Sequence, residues 1–251
     1  MENYEDYHPQ QLNGKRVLVT GGTTGIGRAT AIMLASLGAK VIVFGRHQQE
    51  LDDTLESIRN EEFSENLSGL TADVINKEDV ERVFAEVDSR LGGLDILVNN
   101  AALAVQGIAD TPYDEWKYVL ETNLGGYFHC TYESINRMKE NGGHLVLVGS
   151  MSAEVREKGS SVYVATKSGI EGFAAALRKE VNEMGIKVTL IEPGAVATDM
   201  QGSDSEELTA KTESLEMLKA NDIAASIVYT LAQPKRSDVV MVQIRPHLQA
   251  I

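Results

Sequence analysis

Val17-Leu18-Val19-Thr20 runs without a spacer into Gly21-Gly22-Thr23-Thr24-Gly25-Ile26-Gly27. The first run is short, mostly apolar and β-branched, as a strand buried on both faces should be. Beyond the glycines, Ala29, Ile32, Met33 and Leu37 recur at helical spacing, and Gly38 supplies a stop. Glycines at 21, 25 and 27 let the backbone turn tightly and approach a ligand phosphate. The free amides of the following helix then face an anion, with the helix dipole in support. A strand–helix turn that merely favours glycine reads the same way in isolation. Its place after the first strand of a βαβ unit is what points to a nucleotide.

The same rhythm continues outward. Strand-like runs recur at 41–44, 67–72, 94–98, 145–148, 188–191 and 239–244. Helix-like stretches occupy 25–37, 48–61, 77–90, 112–139, 162–184 and 221–232, with Thr111 as a cap and Pro112 at the first helical position of the fourth. Seven strands alternating with helices predict an α/β fold: a Rossmann-type, doubly wound, seven-stranded parallel sheet in a three-layer α/β/α sandwich. One nucleotide-binding domain is expected over 1–251, with 1–11 as an N-terminal extension. Residues 198–220 break the rhythm. They are polar and acidic, yet carry Leu208, Leu215, Met217 and Leu218. A substrate lid is expected there, leucines inward and carboxylates outward, with permanent packing on the body as the alternative.

The chain has 251 residues, 43% hydrophobic and 24% charged, enough to bury a core without disulfide or metal staples. Its single cysteine, Cys130, excludes an intramolecular disulfide. Histidines 8, 47, 129, 144 and 247 lack metal-ligand spacing, so no metal is expected. No apolar run reaches the ~20 residues of a membrane helix. The acidic start does not read as a secretory signal, and a cytoplasmic setting is expected. Lys and Arg number 23 against 37 Asp and Glu, a net charge of −14. Such a surface disfavours nucleic acid and anionic membranes as partners. An anionic small ligand would need local amides or an arginine.

Position about 20 beyond the second glycine of the turn tests the nucleotide reading, because an acidic residue there holds a ribose 2′-hydroxyl. Gly45 and Arg46 stand there instead. With no carboxylate at that point and a guanidinium available, NADP(H) is expected in preference to NAD. Farther on, the fifth strand run leads into Gly149-Ser150, and Tyr163 and Lys167 follow at i and i+4 on one helix face. A cation one turn away would lower the pKa of a tyrosine, whose ordinary value near ~10 makes it a poor acid–base group at neutral pH. Ser150, at the carboxyl end of a parallel strand, could bond a substrate carbonyl. A Tyr–Lys pair alone is common on helix surfaces; its company with Ser150 and the glycine turn gives it weight.

From about Leu12 onward the chain resembles the short-chain dehydrogenase/reductase family. The resemblance rests on Thr20-Gly21-x-x-x-Gly25-x-Gly27, Asp73-Val74, Asn99-Asn100-Ala101-Ala102, Asn123, Ser150, Tyr163-x-x-x-Lys167 and Pro193-Gly194-x-x-x-Thr198, in the family's order and spacing. It implies that Tyr163 is the acid–base and Ser150 positions the carbonyl. Lys167 lowers the Tyr163 pKa and binds the nicotinamide ribose, and Asn123 holds a water linking Lys167 to solvent. It further implies cofactor contacts from Gly21, Thr23, Thr24, Gly25, Ile26, Gly27, Arg46, Asp73 (adenine amino group), Val74, Asn99 (adenosine ribose), Ala101, Pro193, Gly194, Val196 and Thr198. A homotetramer built through 112–139 and 162–184 is implied as well. Three features depart from common family patterns. Thr24 replaces a basic residue, Ala153-Glu154 replaces Ala-Gly, and the chain ends Gln243-Ile-Arg-Pro-His-Leu-Gln-Ala-Ile251. That ending resembles a subgroup of NADP-dependent reductases that includes clavulanic acid dehydrogenase and bacterial 3-hydroxy-acid dehydrogenases. The expected reaction is hydride transfer between NADPH and a ketone or secondary alcohol. Apolar Leu103, Ala104, Val105, Met151 and Val155 around the site suggest a hydrophobic substrate, with Arg156 either solvated or facing a carboxylate. A nucleotide-binding regulator without turnover is the alternative.

Overall fold

The computed structural model describes residues 9–198 and 205–249. Seven parallel strands form the central sheet: β1 (Arg16–Thr20), β2 (Lys40–Gly45), β3 (Leu67–Thr71), β4 (Ile96–Asn99), β5 (Gly143–Val148), β6 (Ile186–Pro193) and, at one edge, β9 (Met241–Ile244). Their spatial order is β3-β2-β1-β4-β5-β6-β9, all neighbours parallel, with Val17 opposite both Val41 and Ile96. This is the doubly wound Rossmann-like arrangement the strand runs predict.

The unbroken apolar runs have a direct cause. Along β1, Val17 and Val19 face one core and Leu18 the other. The first core is closed by α1 (Gly25–Ser36), α2 (Gln48–Ser57) and α9 (Ala220–Leu231), through residues such as Leu34, Leu51 and Ile227. The second is closed by α3 (Lys77–Leu91), α5 (Gly126–Met138) and α7 (Ser161–Val181), through Phe84, Tyr127 and Ile170. A strand covered on both faces has no solvent side, so no polar alternation is allowed. Each buried Val or Leu contributes roughly 1.5–3 kcal/mol. Cys130 sits in the second core, and burial pushes its thiol up to about 12, which leaves it an inert filler.

Several boundaries differ from the sequence pattern. The 48–61 helix ends at Ser57 and the last strand starts only at Met241. The long 112–139 helix is three pieces: α4 (Tyr113–Leu120), a π-helical turn (Glu121–Gly125) and α5. Pro112 is the N-cap rather than the first helical residue, and the Thr111 hydroxyl turns back to the Gln106 and Gly107 carbonyls. One wide turn keeps nearly the same apolar periodicity, so the pattern could not reveal it.

Beyond β6, the chain forms β7 (Val196–Ala197), which pairs in parallel with β8 (Leu218–Lys219). Between them lies α8 (Ser205–Glu213), after a short stretch 199–204 that falls outside the described residues. Within this expected lid, Leu218 packs on the first core, but Leu215 is 52% exposed at φ +64 rather than turned inward. The short α6 (Ser152–Val155) lies between β5 and α7, which completes the elements around the site. No helix among the described residues is long and apolar enough to cross a membrane.

Candidate active site

A cleft opens at the carboxyl ends of the strands, where the order reverses between β1 and β4. Crevices at such switch points are where open α/β sheets bind ligands. Almost every residue expected to touch a cofactor lines it: Gly21, Thr23, Thr24, Gly25, Ile26, Arg46, Asp73, Val74, Ala101, Pro193, Gly194, Val196 and Thr198. Ser150, Tyr163 and Lys167 line the same cleft. A broader cleft at the opposite end of β1–β3, between Arg16, Lys40 and Arg59, holds none of them.

The glycine turn forms one wall. Gly21 has φ +60, and a Cβ there would come within 2.9 Å of the Ala101 Cα, so the β1 turn and the β4 exit approach as closely as backbone allows. Gly27 does not line the cleft. A Cβ at Gly27 would lie 2.1 Å from the Gly21 carbonyl, so this glycine packs α1 against the turn. The α1 N-terminus has no side-chain cap and no acidic residue in its first turn, which leaves its amides to an anion.

At the far end of the cleft, Arg46 follows β2 and Asp73 follows β3. They do not meet directly. The Arg46 Nη1 donates to the Tyr118 hydroxyl at 2.8 Å, and that hydroxyl donates to Asp73 Oδ2 at 2.6 Å. The Glu50 carboxylate lines the same region, with the Thr23 hydroxyl donating to it at 3.4 Å. The sequence reading found no carboxylate just after β2; the first turn of α2 supplies one. Asn99 is placed elsewhere. It is 1% exposed, its amide donates to the Tyr127 carbonyl and the Thr131 hydroxyl, and Thr20 donates to its carbonyl oxygen. It ties β4 to α5, and the neighbouring Asn100 lines the cleft in its place.

At the other end, backbone bonds past the strand ends fix Ser150: the Gly149 amide donates to Ile191 at 2.7 Å and the Met151 amide to Pro193 at 3.0 Å. Lys167 is 2% exposed, and its Nζ donates to the Val148 carbonyl at 3.0 Å. The Tyr127 hydroxyl donates to that same carbonyl at 2.9 Å. Burial lowers the Lys167 ammonium to about 8. Its Nζ lies 5.6 Å from the Tyr163 ring centroid. Burial raises that phenol, Ser150 beside it pulls the other way, and Glu157 adds to the rise. Asn123, fully buried in the π turn, bonds Leu103 both ways, accepting from its amide at 2.8 Å and donating to its carbonyl at 2.9 Å. Its amide also donates to the Thr166 hydroxyl at 3.2 Å. Its side chain therefore clamps the β4 exit to α7, one residue before Lys167, and does not line the cleft.

Thr122, adjacent in that turn, lines the cleft, and its buried hydroxyl has no partner among the described residues. A buried orphan hydroxyl is costly unless a ligand satisfies it. Together with the uncapped α1 amides and the free glycine turn, it fits a dinucleotide lying along the cleft. No sequence signal distinguished Thr122, Glu50 or Tyr118.

A glycine turn at the switch point, with a Tyr–Lys helix face opposite it, defines a Rossmann-like nucleotide-binding oxidoreductase. The profile of the short chain dehydrogenases matches residues 15–209. An uncharacterized oxidoreductase of Staphylococcus aureus (strain N315) is 33% identical over 237 residues, which cover 94% of this chain and 98% of that one. A Staphylococcus epidermidis relative, also an uncharacterized oxidoreductase, is 32% identical over 94% of this chain and 99% of its own. Among solved structures, the closed form of a serine dehydrogenase complexed with NADP+ superposes with TM-score 0.84 at 28% identity, covering 94% of this chain and 96% of that one. A short chain dehydrogenase from Burkholderia cenocepacia J2315 in complex with NADP gives 0.82 at 27%, covering 94% and 98%. The chain belongs to the short-chain dehydrogenase/reductase family and is a dehydrogenase/reductase.

Proposed function

We propose that this enzyme interconverts a ketone and a secondary alcohol with NADP(H) as its cofactor. The observation that carries the reading is the shared cleft: Ser150, Tyr163 and Lys167 converge at one end and the Arg46 guanidinium stands at the other. NADPH, when bound, supplies the hydride. Ser150 donates a hydrogen bond to the substrate carbonyl and orients it, and Tyr163 delivers the proton to that oxygen. Lys167 hydrogen-bonds the nicotinamide ribose and favours the tyrosinate that remains. Asn123 keeps the β4 exit and α7 in register. Gly21, Thr23, Thr24, Gly25 and Ile26 carry the pyrophosphate, with Gly27 holding α1 close behind them. Asp73, Val74 and Ala101 surround the adenosine, and Pro193, Gly194, Val196 and Thr198 the carboxamide. Asn99 supports this wall from behind.

The two solved structures complexed with NADP+ or NADP support the cofactor reading, as does Arg46. The likeness to a serine dehydrogenase accords with a place among the 3-hydroxy-acid and clavulanic acid dehydrogenase type of NADP-dependent reductase. Exposed Tyr113, Phe128 and Tyr132 support a homotetramer joined through 112–139 and 162–184; the protein acts in a cytoplasmic setting on a small carbonyl or alcohol. A second reading, NAD as cofactor, is favoured by Glu50, whose carboxylate would repel a 2′-phosphate. Oxidation of NADPH and of NADH against a panel of ketones and 3-oxo acids decides both points. Turnover with NADPH at higher kcat/KM is expected. Turnover with NADH alone establishes the second reading, and binding without turnover establishes a regulator.

A further inference from the structure

We propose that Tyr118 is a specificity-determining positioning residue: it holds the Arg46 guanidinium uncommitted beside the 2′-phosphate subsite and so sets the preference for phosphorylated dinucleotide. This deepens the NADP(H) reading and rests on it.

Arg46 is exposed at the end of β2, and two carboxylates, Glu50 and Asp73, line the same end of the cleft. In a chain of net charge −14, a guanidinium so placed is expected to close on one of them as a charge-assisted pair. It makes an ion pair with neither. Its Nη1 is taken by the Tyr118 hydroxyl at 2.8 Å, with its Cζ 5.6 Å from the ring centroid. The hydroxyl in turn donates to Asp73 at 2.6 Å. The direction of both bonds is fixed, because a guanidinium only donates and an ionised carboxylate only accepts. Tyr118 therefore separates opposite charges by two hydrogen bonds in series. Half-burial and the donation to Asp73 raise the phenol pKa, so it stays a neutral hydroxyl able to do both.

The consequence concerns the ligand. A guanidinium has five N–H donors, and among the described residues only one is spent, on a neutral oxygen. The rest are open to a phosphate at no cost of breaking an ion pair. Remove the hydroxyl, and Arg46 is free to swing onto Asp73 or Glu50. A 2′-phosphate must then compete with a carboxylate, whereas a ligand with a bare 2′-hydroxyl loses little. Tyr118 lies 72 positions from Arg46 and 45 from Asp73, on α4, and is not itself part of the cleft wall.

Calorimetric titration with 2′,5′-ADP and 5′-AMP separates these effects without a substrate. The wild type is expected to bind 2′,5′-ADP more tightly than 5′-AMP, by roughly tenfold or more. Tyr118→Phe, which keeps the ring and its packing, is expected to lose most of that ratio, with 5′-AMP affinity changing less than about threefold. Tyr118→Gln, whose amide can accept from Arg46 and donate to Asp73, is expected to recover part of it, and it serves as the test if the Phe variant does not fold. A preference kept in both variants overturns the role of Tyr118 and leaves the cofactor reading standing. Equal weakening of both ligands also overturns it, because that is what a purely structural role would do. A wild type without preference overturns the cofactor reading, and the role of Tyr118 with it.

Discussion

The two ends of the cleft are built on different plans. The proposed catalytic end is local and more deeply set. Tyr163 and Lys167 sit one turn apart on one helix, Lys167 is buried, and Ser150 is fixed by backbone bonds between adjacent strands. The proposed adenosine end is open and assembled from afar: Arg46 after β2, Glu50 on α2, Asp73 after β3 and Tyr118 on α4. Burial fixes the first set of charges, while a hydrogen-bond chain in partial solvent fixes the second. The first should therefore tolerate no change in chemistry, and the second should be tunable in small steps.

The largest effect is expected from Tyr163→Phe. Turnover should fall by at least ~10²-fold, the scale of general acid–base catalysis, with NADPH binding followed by fluorescence almost unchanged. Near-normal turnover would remove Tyr163 from the chemistry and break the contrast at its stronger end. Next is Arg46→Ala, which should cost about 1.5–3 kcal/mol in kcat/KM for NADPH and little for NADH. A loss equal for both cofactors would mean that Arg46 does not meet the 2′-phosphate.

The proposed catalytic end should also show a pH dependence of its own. Burial holds the Lys167 ammonium at about 8. Carbonyl reduction is expected to be level below that pH and to decline above it, as Lys167 loses its proton and the phenol loses its nearby cation. Lys167→Arg should remove the decline from a kcat/KM profile, whatever its absolute rate. A wild-type profile level past pH 9 would show that Lys167 is not the group that titrates. The smallest effect is expected from Glu50→Gln. Removing a carboxylate from the open end should raise kcat/KM for NADPH over NADH by severalfold, on the order of 1 kcal/mol after solvent screening. A ratio that rises only because kcat/KM for NADH falls would show that Glu50 holds a ribose hydroxyl instead, and an unchanged ratio would show that it meets neither group.

What could be read in advance follows the same division. The strand runs, the glycine turn and the Ser150–Tyr163–Lys167 set rest on contiguous runs or fixed spacings, and the sequence reports those directly. Tyr118 and Glu50 do not, since only the folded sheet brings α4, α2 and the β3 exit to one place. Asn99 and Asn100 are neighbours in one motif, and only the pleat decides that the first is buried and the second lines the cleft. The π turn hides for a different reason: it shifts a helix by a fraction of a turn while its apolar stripe continues. Glu192 is the plainest surprise. It is buried in β6, one residue past the 188–191 run; among the described residues one carboxylate oxygen has no partner and the other accepts from Gln243 at 3.0 Å.

The most direct test is transfer of label from NADPH carrying deuterium at the reactive position of the nicotinamide, with a ketone that the wild type turns over. Mass spectrometry of the alcohol should show one deuterium on the carbinol carbon for the wild type. In Tyr163→Phe, label transfer should slow in step with turnover. Alcohol formed without deuterium, or NADPH that binds and is never oxidised by any carbonyl, would contradict hydride transfer at this site.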